Sequence, residues 1–186
     1  MPYTRGSIAD MTGYVPGEQP RDRQYIKLNT NENPYPPSPA VEKALREFDP
    51  GQLRLYPDPV ATELRTEAAK LCGVSREWVL CGNGSDDLLT IGVRTFVDQG
   101  GTLACFEPTY SLYPVLAAIQ GADCRRIELD AAFGLPSDAI KQARDASLLF
   151  VTRPNAPTGN AFPLGDVHDL CREFAGVVWI DEADAD

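Results

Sequence analysis

The sequence has one histidine, no Cys-x-x-Cys pair, no basic run and no apolar stretch of membrane-spanning length, and each absence removes a class of function. With His168 alone among 186 residues, a Ser-His-Asp arrangement or a histidine-rich metal site has little to be built from. His168 falls on a polar helical stretch between Pro163 and Phe174 and reads as a surface residue. The five cysteines, Cys72, Cys81, Cys105, Cys124 and Cys171, are odd in number and scattered. They read as buried reduced thiols, not as a disulfide framework or a zinc site, so no metal is expected. Seventeen basic against twenty-seven acidic side chains leave a net charge of −10. Without a basic cluster, such a surface is no nucleic-acid partner. No signal-peptide core is visible in the first residues and no run spans a bilayer, so a cytoplasmic protein without membrane contact is expected. The glycine-rich segment Gly82–Asp87 lacks the Gly-Lys-Ser/Thr ending of a Walker loop and the glycine spacing of a dinucleotide fingerprint.

What is present is a globular composition, 43% apolar, sufficient to fill a core. Residues 1–37 are rich in proline, glycine and polar groups and predict an extended arm. Ser38-Pro39 is an N-cap with a first-turn proline, and Val41, Ala44, Leu45 and Phe48 supply the stripe of a helix that stops at Asp49-Pro50-Gly51. After the loop Leu53–Pro59, Leu64, Ala68 and Leu71 mark a second helix, ended by Gly73. Strands and helices then alternate. Strands are predicted at Trp78–Cys81, Thr102–Phe106, Cys124–Leu129, Leu148–Thr152 and Gly176–Asp181. Between them fall helices from Ser85 (as cap) to about Val97, from beyond Tyr110 to about Gln120, from Pro136 to Arg144 and from Leu164 to Phe174. This pattern implies right-handed parallel crossovers and an α/β fold.

In such a sheet the loops after the strands share the carboxyl edge, where ligands bind. Four candidates fall there. Gly82-Asn83-Gly84-Ser85-Asp86-Asp87 can aim backbone N–H groups and a helix dipole at a phosphate, or can be only a capped turn. Tyr110 can stack on a flat ring or pack in the core. Asn155 offers an amide between Pro154 and Pro157. Asp181, after four apolar residues, can cap a helix, ligate a metal or pair with a ring nitrogen. A phosphate cradle, a stacking partner, an amide and a carboxylate together fit a phosphorylated aromatic heterocycle.

The run Pro154-Asn155-Ala156-Pro157-Thr158-Gly159, then a helix and an apolar strand ending Asp181-Glu182-Ala183, resembles fold-type I pyridoxal-phosphate aminotransferases. The arm Leu28-Asn29-Thr30-Asn31-Glu32-Asn33-Pro34-Tyr35 and the loop Tyr56-Pro57-Asp58 are similar to the histidinol-phosphate aminotransferase branch. The likeness runs from about residue 26 to the end. It implies a three-layer αβα large domain with a mainly parallel sheet over residues 38–186, incomplete at the C-terminus, with the arm of residues 1–37 before it and the small C-terminal domain absent. It implies pyridoxal 5′-phosphate as cofactor, held by the backbone of Ser85 and Asp86 at its phosphate, stacked on Tyr110, bonded by Asn155 at its ring hydroxyl and paired with Asp181 at its ring nitrogen. It further implies a homodimer in which Tyr56 reaches the partner subunit's cofactor phosphate, and an arm that brings Asn33 and Tyr35 near substrate. The implied reaction is transamination between L-histidinol phosphate and 2-oxoglutarate, in histidine biosynthesis. Other readings are an aromatic aminotransferase or threonine-phosphate decarboxylase of the same branch, a catalytically inactive cofactor-binding or assembly chain, and a nucleotide-binding α/β domain without this cofactor.

The sequence departs from the family pattern in three places. The Schiff-base lysine has no match: Lys27, Lys43, Lys70 and Lys141 lie on the arm or on helices, so the 186 residues alone are expected to be inactive and to be part of a longer protein. Ala156 stands where many relatives carry a second Asn. Asp184 stands where a Tyr usually follows Asp-Glu-Ala, adding negative charge near the cofactor and substrate anions. In the family's sheet order the strand predicted at Trp78–Cys81 would also lack a neighbour.

Overall fold

The computed structural model describes residues 3–12, 17–18 and 25–185. It divides into two compact units, one of Met1–Pro16 with Asn83–Asp186 and one of Gly17–Gly82.

The first unit carries a short helix α1 (Gly6–Ala9) within the stretch expected to be extended. The Arg5 guanidinium beside it donates to the Ile119 carbonyl at 3.4 Å. In the second unit α2 (Pro39–Glu47) starts as predicted, with Ser38 as N-cap accepting from the Val41 N–H at 3.4 Å. A 3-10 turn follows at Pro50–Arg54, then α3 (Thr62–Cys72), closed by Gly73 at φ +67°, a left-handed conformation that suits glycine. The predicted stripe of α3 is not its buried face: Leu64 and Leu71 are exposed and Ala69 is buried.

The strand predicted at Trp78–Cys81 does not form. Arg76–Trp78 is a 3-10 turn, Trp78 is exposed, and the Val79 carbonyl accepts from Arg65 Nε at 2.6 Å. A strand needs a neighbouring backbone to satisfy its polar groups, and here an arginine side chain serves one of them.

The first unit then runs α4 (Ser85–Phe96), β1 (Thr102–Glu107), α5 (Leu112–Gln120), β2 (Asp123–Glu128), α6 (Ala139–Ala143), β3 (Leu148–Thr152), α7 (Leu164–Glu173) and β4 (Val177–Asp181). The four strands form one parallel sheet in the order β2-β1-β3-β4. Helix α6 is shorter than the predicted span from Pro136 to Arg144.

Alternation along the strands sorts the core into two layers. Leu103, Cys105, Leu148 and Phe150 face α4 and α5 and pack with Leu89, Val93, Tyr113 and Leu116. Ala104, Phe106, Leu149 and Val151 pack on the other face with Phe162, Val167, Leu170 and Phe174. All five residues of β3 are buried, as expected for a strand covered on both sides. The expected three-layer αβα arrangement is therefore present in this unit.

Of the cysteines, Cys105 alone is fully buried. Cys72 and Cys171 are exposed, correcting the expectation that all are interior, and all five are free thiols. His168 is exposed, as expected.

Candidate active site

The candidate residues of the first unit follow from strand parity and from two short approaches. In β4, Val177 and Trp179 face α4 and α5, so Asp181, two residues further, faces the same way. In β3, Leu148 and Phe150 set the same parity for Thr152, whose register partner is Asp181. Two polar side chains thus stand side by side at the carboxyl edge, under the start of α5. Both are buried, Asp181 to 6% exposure.

Tyr113, in the first turn of α5, closes this pair. Its hydroxyl donates to Asp181 Oδ2 at 2.7 Å and lies 2.6 Å from Thr152 Oγ1. The second carboxylate oxygen accepts from the Ala183 N–H at 3.2 Å. Thr152 Oγ1 is 3.0 Å from Thr109 Oγ1, which donates to Asn155 Oδ1 at 3.1 Å. One hydrogen-bonded chain therefore links the ends of β4, β3 and β1. Burial holds the Tyr113 phenol well above its usual range, so it remains an O–H donor. Among the described residues no lysine or arginine forms an ion pair with Asp181.

Tyr110 stands beside this network. Its ring meets that of Tyr113 edge-on, with centroids 5.7 Å apart, while Tyr113 stacks on Phe150 at 4.4 Å. The Tyr110 hydroxyl donates to Asp86 Oδ1 at 3.0 Å, tying the end of β1 to the start of α4. Tyr110 is half-buried and also borders a cleft of about 370 Å³ with Met11, Thr109, Val115 and Arg126. A larger depression, about 460 Å³, lies along α7 at His168 and Arg172 and meets no strand end.

The start of α4 differs from the expectation in one respect. Gly84, at φ +81°, is the N-cap, and Ser85 is the first helical residue. Only glycine adopts that backbone at little cost, which shifts the helix start by one residue. No side chain caps the helix, and the first N–H groups of a helix have no intrahelical acceptor. The Ser85 and Asp86 amides thus remain suited to an anion. The Asp87 carboxylate turns back to the Asn83 N–H at 3.1 Å. Further along the helix, a Cβ on Gly92 would lie 2.6 Å from the Trp179 ring. Glycine there lets α4 press against β4.

Asn155 is placed at the site but not as a free amide. It is 1% exposed, and its Nδ2 donates to the Pro108 carbonyl at 2.9 Å and to Thr158 Oγ1 at 2.7 Å. Both amide hydrogens are used within the protein, so the expected bond to a ring hydroxyl is not available in this arrangement. Asn155 instead fastens the loop after β3 to the loop after β1. Asn33, Tyr35 and Tyr56 belong to the other unit, where all three are exposed. Asn33 Oδ1 accepts from the Tyr35 N–H at 2.9 Å.

Residues 23–185 match the family described as aminotransferase class I and II. The chain belongs to that family. Among curated relatives of this chain, the histidinol-phosphate aminotransferase of Synechocystis sp. is 48% identical over 182 residues, 98% of this chain and 51% of that protein. The enzyme of the same name from Rippkaea orientalis is 45% identical with the same coverage. The chain spans about half the length of the curated relatives it matches. In fold it is similar to the crystal structure of histidinol-phosphate aminotransferase from Sinorhizobium meliloti in complex with pyridoxal-5′-phosphate. The TM-score is 0.68 at 23% identity, over 78% of this chain and 41% of that one. Aspartate aminotransferase from Thermotoga maritima gives a TM-score of 0.70 at 23% identity, over 82% and 44%. The expected α/β aminotransferase fold is thus borne out.

Sequence reasoning missed Tyr113, Thr152 and Thr109. A signal existed for Thr152: it closes an apolar strand at the same parity and distance from the edge as Asp181.

Proposed function

We propose that the carboxyl edge of this sheet binds pyridoxal 5′-phosphate in a protein that transfers an amino group between L-histidinol phosphate and 2-oxoglutarate, within histidine biosynthesis. The observation that carries the reading is Asp181, a buried carboxylate with two hydrogen-bond donors and, among the described residues, no cationic side chain paired to it. A buried anion left without a cation is costly, and a protonated pyridine nitrogen supplies one. The donor set fits the cofactor elsewhere too, with the Tyr110 ring edge-on to the Tyr113 that bonds the carboxylate, and an uncapped helix start tied to Tyr110 through Asp86.

When bound, the cofactor supplies a pyridinium ring that takes up the electron pair left at the substrate's Cα. Asp181 holds the proton on the ring nitrogen; an amide there could not act as the charged partner. Tyr110 stacks on the ring, oriented by its bond to Asp86. The Ser85 and Asp86 N–H groups take the phosphate, assisted by the α4 dipole. Asn155 keeps the two strand-end loops together beneath the ring. Tyr56 reaches the cofactor phosphate of a partner subunit in a homodimer, Asn33 and Tyr35 lie near substrate, and the protein acts in the cytoplasm.

The choice of amino donor is supported by the 45–48% identity to histidinol-phosphate aminotransferases over nearly all of this chain. The test is to supply the full-length gene product with pyridoxal 5′-phosphate, histidinol phosphate and 2-oxoglutarate and to measure glutamate. Glutamate formation, abolished by Asp181→Asn, is expected. Cofactor binding without turnover on any amino donor would instead indicate an inactive binding chain.

A further inference from the structure

We propose that Tyr113 is a positioning residue for Asp181: through its phenol O–H, backed by Thr152, it fixes the carboxylate in place to pair with the proton on the cofactor's ring nitrogen. The inference rests on the cofactor reading above and goes beyond it, since Tyr113 touches neither ring nor substrate.

The direction of the hydrogen bonds follows from counting protons. A carboxylate can only accept, so Tyr113 must spend its single hydrogen on Asp181 Oδ2, at 2.7 Å. The phenol oxygen can then only accept from Thr152, at 2.6 Å. Thr152 Oγ1 also lies 3.0 Å from Thr109 Oγ1, but Thr109 spends its own single hydrogen on Asn155 Oδ1. That acceptor, at 3.1 Å, is identified as an oxygen because Nδ2 must face the Pro108 carbonyl. The protons of Thr152 and Tyr113 therefore both point toward the carboxylate, while that of Thr109 points away, to Asn155. A hydrogen bond to the charged form favours that form, and donors that accept from further donors polarise one another.

The ring of Tyr113 is held independently of its hydroxyl. It stacks on Phe150, with rings 8° from parallel, and meets Tyr110 edge-on, and its side chain is fully buried. Tyr113→Phe therefore removes the O–H while keeping the packing. With that donor gone, Asp181 Oδ2 loses the hydrogen bond that fixes it, and its pairing with the protonated ring nitrogen is weakened.

The experiment uses the full-length gene product and pyridoxal 5′-phosphate labelled with ¹⁵N in the ring. Wild type is expected to bind and to show a protonated ring nitrogen. Tyr113→Phe is expected to keep its circular dichroism spectrum, to bind the cofactor about tenfold more weakly, as loss of a hydrogen bond to a charged group implies, and to move the ¹⁵N resonance toward the unprotonated position. Thr152→Val, which leaves the Tyr113 bond in place, should move the resonance the same way by less. It is also the variant that decides if Tyr113→Phe fails to fold. An unshifted resonance and unchanged affinity in the variants overturn the positioning role while leaving the cofactor reading intact. Wild-type protein that does not bind the cofactor overturns both.

Discussion

Helices α2 and α5 are both nine residues long, and both carry apolar residues at helical spacing, yet they end in opposite circumstances. Helix α5 buries Leu112, Tyr113, Leu116 and Ala117 against the sheet. Helix α2 buries nothing: Leu45 is 70% exposed, Phe48 46%, and the intrahelical pair of Arg46 with Glu42 at 2.9 Å is solvated. The contrast extends to the units that contain them. In the sheet unit, side chains such as Tyr113 and Phe150 are removed from water, each contributing roughly 1.5–3 kcal/mol. In Gly17–Gly82, Leu53, Leu64, Leu71 and Trp78 stay exposed. Periodicity reveals which face of a helix is apolar; it does not reveal what covers it.

The largest effect expected from this contrast is at Asn155. Replacing it with alanine removes the bonds to the Pro108 carbonyl, Thr158 and Thr109 at a site 1% exposed, and should lower stability by about 3 kcal/mol in denaturant unfolding. A change under half a kcal/mol would mean that the strand-end loops do not depend on it. Gly92→Ala should cost about 2 kcal/mol, because the new methyl would meet the Trp179 ring at 2.6 Å. Its melting temperature should fall, and a Gly92→Ala, Trp179→Phe double variant should recover part of the loss.

In the 186-residue chain, Leu45→Ser should change unfolding free energy by no more than about 0.5 kcal/mol, as for an exposed position. A loss of 2 kcal/mol would erase the difference between the two units. The smallest effect is at Asp58. The Thr62 hydroxyl and the N–H groups of Val60 and Thr62 hold its carboxyl below the usual carboxylate range. Its contribution to the start of α3 is therefore present above that usual range and fades as the pH falls through the lowered value. The protection factors of the amides at the start of α3, taken against intrinsic exchange at each pH, should fall on acidification in wild type and change less in Asp58→Asn.

Most of the sheet unit was legible in the sequence because its signals are local. Apolar runs at Leu148–Thr152 and Val177–Asp181, with turn residues between helices, predict β3 and β4 nearly to the residue. The positions of Tyr110, Asn155 and Asp181 at strand ends follow from the parallel alternation alone. Three things were not legible. Trp78–Cys81 has the composition of a strand, but composition cannot supply a neighbour. The cap of α4 at Gly84 rather than Ser85 depends on a backbone angle. Tyr113 joins Asp181 across 68 residues of sequence, which requires knowing that β3 lies between β1 and β4. The same tertiary fact turns Asn155 from an exposed amide into a buried tie.

The account stands on Asp181 as the anchor of a cofactor site, and calorimetric titration of the full-length gene product with pyridoxal 5′-phosphate tests it most directly, wild type beside Asp181→Ala. Saturable binding by wild type, weakened at least about tenfold in Asp181→Ala with the melting transition retained, is the predicted result. Absence of binding by wild type, or equal affinity in both proteins, would contradict it.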